Sequence, residues 1–292
     1  MKPMEILALT IMTLVWGTLY AVAGYAIRYF PPILLYSMRF LIAGICLIPF
    51  TKFSTLEWKK ICLFGTLQAI MFVGITLSLK HIDSSITAIV LRFDIPMTML
   101  FAALFFKEKI TWNLVIGCLI CFFGIYVISG DVKQKSDLLF IFLLVLSTMI
   151  SGLSNMVIKI LNDKVPYNLL NAEASFVIAI ELLLVSFLFG EDILGSLQNA
   201  DLKIWILMLY LGIFPAIIGY HCFYYLLKRV PTNKTFPYHF IKPFVALISG
   251  AIVLGEFISQ EKIWGLILTT IGIALSQINF SKIDFKKLFK HN

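Results

Sequence analysis

The feature that most constrains this chain is its near-unbroken series of apolar runs, each about long enough to cross a bilayer as a helix. They fall at residues 5–27, 32–51, 59–79, 84–106, 111–130, 138–160, 168–190, 203–226, 236–255 and 262–279. A helix rising 1.5 Å per residue needs about 20 residues to span a ~30 Å hydrocarbon core. Ten such runs predict an all-α integral membrane protein with ten transmembrane helices, located in the inner membrane. The breaks are short and carry turn and charge signals, among them Pro31-Pro32, Lys59-Lys60, Lys107-Glu108-Lys109 and the stretch from Glu256 to Lys262. Composition agrees: 60% of the residues are hydrophobic and 14% charged, where a soluble domain averages about 45–50% and about 25%. That excess of apolar surface needs lipid as its solvent, and little chain remains for a soluble domain.

The net charge of +8 is an orientation signal. With the N-terminus in the cytoplasm, 15 Lys and Arg fall on the cytoplasmic side, from Lys2 and Lys59 to Lys290, and 6 on the other: Arg28, Lys80, Lys133, Lys135, Lys203 and Lys262. The positive-inside rule then places both termini in the cytoplasm. A nucleic-acid surface would need its basic residues clustered on one solvent-facing patch, so no nucleic-acid partner is expected. The first run exceeds the 7–15 apolar residues of a secretory leader and reads as a retained helix. Cys46, Cys62, Cys118, Cys121 and Cys222 all sit inside apolar runs, where free Cys acts as a small hydrophobe, and no metal site is expected.

The sequence repeats itself. In the fourth and fifth runs Phe93, Pro96, Glu108, Gly117 and Gly124 stand in the order and nearly the spacing of Phe240, Pro243, Glu256, Gly265 and Gly272 in the ninth and tenth. Trp16-Gly17 is answered weakly by Ser151-Gly152. The expected halves are 1–135 and 136–280, with 281–292 a basic cytoplasmic tail. Five helices per half is an odd number, so the second half enters the membrane inverted. Inverted repeats place the binding site of many secondary transporters near the midplane, between the halves.

This pattern resembles the drug/metabolite transporter superfamily, EamA type. The resemblance rests on the ten runs in two fives, on Trp16-Gly17 and Arg39-Phe40, and on the Pro, Glu and paired glycines repeated in each half. It implies a secondary transporter working by alternating access, with a small-molecule substrate, the lipid bilayer as surroundings and no cofactor.

Charges inside apolar runs are costly and usually face a cavity or a partner. They are Arg39, Arg92, Asp94, Glu173, Glu181 and Lys242, with His221 and His239 as titratable neighbours. Pro96 and Pro243 each cost a helical hydrogen bond, freeing the carbonyls of Arg92 and His239. Kinks are therefore expected at both prolines, with Arg92, Phe93, Asp94, Tyr238, His239 and Lys242 lining a cavity. Arg92 and Asp94 are two residues apart and do not face each other, so Asp94 is expected to pair with Lys242 or Arg39 on another helix. Trp16 and Tyr20 share a face that either lines this cavity or fills the core. Glu108 and Glu256 are expected to be structural, each at the start of the helix that follows it, where an acid suits the helix dipole.

Both signs of charge among aromatics suit a zwitterion, an amino acid or an amine-bearing metabolite. The alternative is an organic anion, such as a nucleotide-like metabolite, since the basic groups outnumber the acids. Asp94, Glu173 and His239 are the groups through which a proton would couple. From other classes, a channel would favour symmetric pore-lining rings, which the unequal charges of the two halves do not offer. An intramembrane enzyme would need motifs such as H-E-x-x-H, and His81, His221, His239 and His291 are not so spaced.

Overall fold

The computed structural model describes residues 2–51, 57–106, 110–132, 134–161, 164–229 and 232–277, with the backbone alone at 135, 159, 224, 227–229 and 232–240. Every regular element among the described residues is helical. The chain runs α1 (Pro3–Ile27), α2 (Pro32–Leu47), α3 (Trp58–Leu79), α4 (Ser84–Val90), α5 (Asp94–Phe105), α6 (Trp112–Ile128), α7 (Leu138–Leu161), α8 (Tyr167–Leu188), α9 (Ile193–Gln198), α10 (Leu202–Ile213), α11 (Tyr220–Arg229), α12 (Thr232–Leu254) and α13 (Gln260–Gln277). A 3₁₀ turn, Leu91–Phe93, joins α4 to α5, and a π-helical turn, Phe214–Gly219, joins α10 to α11.

Among the described residues, eight helical stretches are long and apolar enough to cross a membrane, with Ser84–Phe105 and Leu202–Phe223 each counted through its internal turn. The apolar part of α12 is the shorter Ile241–Leu254, and α13 opens with the polar Gln260, Glu261 and Lys262. The apolar runs therefore map closely onto helices. Their periodicity does not show the turns inside the fourth and eighth runs, or the short α9 inside the stretch from Glu191 to Lys203.

The first amides of a helix lack intrahelical partners, and in lipid they must find others. Two helices find theirs far along the chain. The Glu191 carboxylate accepts from the amides of Ile33 and Leu34 at 3.1 and 2.9 Å, opening α2. The Glu256 carboxylate accepts from those of Ser84 and Ser85 at 2.6 and 3.1 Å, opening α4. This corrects the expectation for Glu256, which serves α4 rather than α13. Gly255, at φ 70°, turns the chain back just before it and so aims the carboxylate at α4. Glu108 lies outside the described residues. Near the start of α3, Glu57 sits 2.5 Å from Lys60 and 3.4 Å from Lys164. The Lys60 hydrogen bond holds its carboxyl below the usual range.

The helices pack as α6 on α13, α2 on α8, α3 on α7, α1 on α12 and α5 on α7. Small residues set the closest approaches, as expected where lipid gives no hydrophobic drive and backbone proximity supplies the packing. A Cβ on Gly117 would stand 2.5 Å from the Gly272 carbonyl, and one on Gly272 would stand 2.6 Å from that of Gly117. The outward faces carry Leu119, Phe122, Tyr126, Leu188 and Ile252 exposed, an apolar surface suited to acyl chains.

Candidate functional site

Whereas Glu173 and Glu181 lie toward α3, Glu181 accepting from the Thr66 hydroxyl at 2.7 Å, three of the charged residues of the apolar runs, Arg92, Asp94 and Lys242, gather at the 3₁₀ turn between α4 and α5. Pro96 removes a backbone donor there, and the tighter turn over Leu91–Phe93 lies where an α-helix would need it. At the other proline the winding does not change: α12 runs as one α-helix through Pro243. A change of helix type thus accompanies only the first motif copy, at the backbone of Arg92 and just before Asp94.

Asp94, Arg92 and Lys242 act on one another electrostatically, and Tyr20 of α1 lies in the field of Arg92, Asp94 and Arg39. These five predicted residues are brought together. The expected ion pair is not formed: Asp94 makes no salt bridge among the described residues, and its Oδ1 has no hydrogen-bond partner there. The helices hold Lys242 against an aromatic ring instead, with Nζ 4.1 Å from the centroid of Trp16. The backbone carbonyl of Asp94 accepts from the Thr98 hydroxyl at 2.7 Å, and that hydroxyl accepts from Asn155 at 2.9 Å. The turn is in this way tied to α7.

Trp16 ties α1 to the π turn and α11. Its ring meets Tyr220 edge-on at 5.2 Å and Phe223 at 5.8 Å. Its Nε1 donates to the Pro215 carbonyl at 3.1 Å, and Asn171 of α8 donates to that of Ala216 at 2.9 Å. Both acceptors belong to the π turn, where the wider winding leaves carbonyls to be satisfied from outside.

Arg39, on α2, is 2% exposed. Its guanidinium lies 5.0 Å from the ring of Tyr36, 4.8 Å from Phe40 and 5.5 Å from Phe72. Phe40 and Phe72 also line a small cavity between α2, α3, α7, α8 and α11, with Gln68, Asn171, Ser175 and Tyr220 among its other walls. Glu173 is buried on α8 and its charge reaches Cys62 of α3. Phe93 is buried in the main core. The side chains of Tyr238 and His239 lie outside the described residues. Nothing in the sequence pattern marks Tyr36, Phe72 or Tyr220 out from the other aromatics. With 26 Phe and 11 Tyr in the chain, any single aromatic is uninformative; the signal the sequence does carry for the π turn is Pro215 inside an apolar run.

A second polar cluster closes the end of the bundle away from the N-terminus. Lys262, 1% exposed, places Nζ 2.5 Å from Asp83, 2.7 Å from the Phe257 carbonyl and 3.4 Å from Asp131. A cleft of about 770 Å³ beside it is lined also by Arg28, Lys80 and His81, joining residues from four different breaks. Removing one member of a buried ion pair costs about 3–5 kcal/mol; here Asp83 and Asp131 are 28% and 17% exposed at the cleft, so water takes up part of that cost. Lys262→Met is expected to lower stability by about 1–2 kcal/mol, read as a drop in unfolding temperature in detergent. An unchanged midpoint would mean the cluster is effectively solvated.

Comparison with known proteins adds the following. The model of the EamA-like transporter family matches residues 3–130 and 138–277. An uncharacterised transporter of Archaeoglobus fulgidus is 27% identical, over 94% of this chain and 98% of its own length. A protein of Salmonella typhimurium named a probable amino-acid metabolite efflux pump is 24% identical, over 92% and 93%. An uncharacterised inner membrane transporter of Escherichia coli is 23% identical, over 91% and 90%. A solved crystal structure shares the fold, with a TM-score of 0.65 at 19% identity, covering 95% of this chain and 97% of its own.

Proposed function

The chain belongs to the EamA-like transporter family, and from that premise we propose that it is a secondary carrier moving a small zwitterionic metabolite, an amino acid or a close amine-bearing relative, by alternating access. In this reading it lies in the inner membrane with both termini cytoplasmic. The ten spans form two inverted halves, 1–135 and 136–280, with α12 and α13 as the last two.

The observation that carries the reading is that close contacts come in matched pairs. Gly17 meets Val245, and Gly152 meets Thr98; Val245 and Thr98 each stand two residues after their proline. Gly65 meets Ala174 and Val177, and Gly212 meets Arg39 and Ile42. Gly117 meets Gly272, and Gly124 meets Gly265. Exchanging the halves turns the first contact of each pair into the second. Such an arrangement has two equivalent ways to rock one bundle against the other, which is what alternating access requires. The two stretches matched by the family model divide at the same place. The zwitterion follows from Asp94 beside Arg92 and Lys242 in one aromatic-walled centre, and two relatives are named for amino-acid metabolite efflux.

The test is counterflow in proteoliposomes. Purified protein is reconstituted into vesicles preloaded with a mixture of the twenty amino acids, and entry of each labelled amino acid is followed. At least one should accumulate transiently above equilibrium. Rates equal to protein-free vesicles for all twenty would sink the amino-acid reading.

A further inference from the structure

The carrier reading leaves open which neighbours move with the segment that bears Arg92 and Asp94. We infer that Glu256 is a positioning residue for transport: it fastens α4 to the connection between α12 and α13, so that α4 travels with α12, α5 travels with α7, and the turn at Leu91–Phe93 is the joint between them. The inference deepens the carrier reading and rests on it for the meaning of "transport".

Three observations lead there. First, the start of α4 is tied to the second half of the chain. The Glu256 carboxylate accepts from the amides of Ser84 and Ser85 and also from the Ser85 hydroxyl, at 2.5 Å. Asp83, the residue before α4, pairs with Lys262 of α13. Gly250 of α12 comes so near that a Cβ on it would meet both the Glu256 carboxylate and the Ser84 hydroxyl. All seven residues of α4 are buried, and they pack more on α12 and α1 than on α7.

Second, α5 is tied elsewhere. It packs on α7. A Cβ on Gly152 of α7 would stand 3.1 Å from the Thr98 amide nitrogen, and Asn155 of α7 donates to the Thr98 hydroxyl at 2.9 Å. Third, the winding changes between the two segments, at Leu91–Phe93. Hydrogen bonding is poorer in a 3₁₀ turn, and such a turn inside a helix often marks a hinge. Arg92 lies within it and Asp94 follows it, so a displacement of α4 against α5 is absorbed at those two residues.

Glu191 supplies an internal comparison. Its carboxylate likewise accepts from two helix-opening amides, those of Ile33 and Leu34, and from a serine hydroxyl, that of Ser186 at 2.7 Å. The helix it opens, α2, runs unbroken from Pro32 to Leu47. The two carboxylates make the same kinds of bond, and only one of them holds a helix that leads into a change of winding.

The experiment compares Glu256→Gln with Glu191→Gln in the purified full-length protein. Gln keeps the shape, but it loses the charge and turns one acceptor into a donor that faces other donors. Hydrogen–deuterium exchange is read in lipid nanodiscs, and amino-acid counterflow in proteoliposomes. Glu256→Gln should speed exchange over residues 84–90 by about tenfold or more, the effect of losing about one charge-assisted hydrogen bond. Exchange over 94–105 should stay within about twofold, since separately held segments open separately. Both variants should lower the unfolding temperature by similar amounts. Glu256→Gln alone should lower the maximal counterflow rate, by about tenfold, with the half-saturating concentration within about threefold, because the centre remains and its movement with α12 is lost.

If Glu256→Gln does not fold, Ser85→Ala, which removes only the hydroxyl bond, should show the same pattern at smaller size. Exchange rising equally over 84–90 and 94–105, exchange unchanged over both, or counterflow falling equally in the two glutamine variants each overturn the inference. Counterflow unchanged by Glu256→Gln would keep the carrier and discard the positioning role. No counterflow in the unaltered protein would discard the carrier, while the exchange pattern would still decide whether α4 and α5 are held separately.

Discussion

Asp94→Asn is expected to abolish counterflow, lowering it by about a hundredfold or more, the size of effect seen when a charged partner is lost from a buried site. The same change should leave the protein folded and raise its unfolding temperature. A carboxylate in a membrane interior with no salt bridge and an unpartnered oxygen among the described residues is a net liability to the folded state. Asn keeps the shape and removes the charge, so stability and transport should move in opposite directions. Groups kept at a cost to stability are usually kept for function. Stability and transport falling together would mark Asp94 as a structural residue. Native transport by Asp94→Asn would remove it from the site and shift attention to Arg39 and Glu173.

Gly272→Ala should be strongly damaging for so small a substitution. Its Cβ would stand 2.6 Å from the Gly117 carbonyl and 2.7 Å from the Cys121 amide. Neither is the end of a flexible side chain, so α6 and α13 must separate along their length. Overpacking of this kind costs about 1–3 kcal/mol and sometimes more. The loss also reaches the facing carbonyl contacts and the Cys121 thiol, which donates to the Thr269 carbonyl. The expected result is a drop in unfolding temperature of several degrees and a reduced monodisperse peak on size-exclusion chromatography. Leu119→Ala, on the exposed face of the same helix pair, serves as the control with little effect. Equal behaviour of the two variants would show that the helices approach less closely than described.

The helices were legible because lipid leaves few options: a run that cannot hide its backbone must wind it. The charges around Asp94 were legible for the same reason, since a charge in an apolar run stands out against its surroundings. What stayed hidden has a different physical character. Arg39's aromatic box draws Tyr36 and Phe40 from one run and Phe72 from another, and aromatics are common everywhere in this chain. The cluster of Lys262, Asp83 and Asp131 reads in sequence as three ordinary break residues, because only the packing of α4, α6 and α13 brings them together. A dipole argument sees only neighbours in sequence and assigns Glu256 to the helix that follows it, whereas the Gly255 turn redirects it to α4. The two prolines look equivalent in the repeat, yet only Pro96 accompanies a change of winding. Sequence similarity between the halves does not extend to the turn that decides this.

The π turn at Phe214–Gly219 has a consequence for how the aromatic wall at Trp16 can vary. A π turn is an α-helix carrying one additional residue, and each residue of an α-helix advances the winding by about 100°. Tyr220 and Phe223 therefore meet Trp16 because of a count, not only because of what they are. Removing a single residue anywhere within the turn would restore regular winding, withdraw the two carbonyls offered to Trp16 and Asn171, and swing both rings about a quarter-turn away. Substitution can tune the size of that wall, but its phase is set by an insertion, and lineages differing by one residue there would present different faces to the same centre.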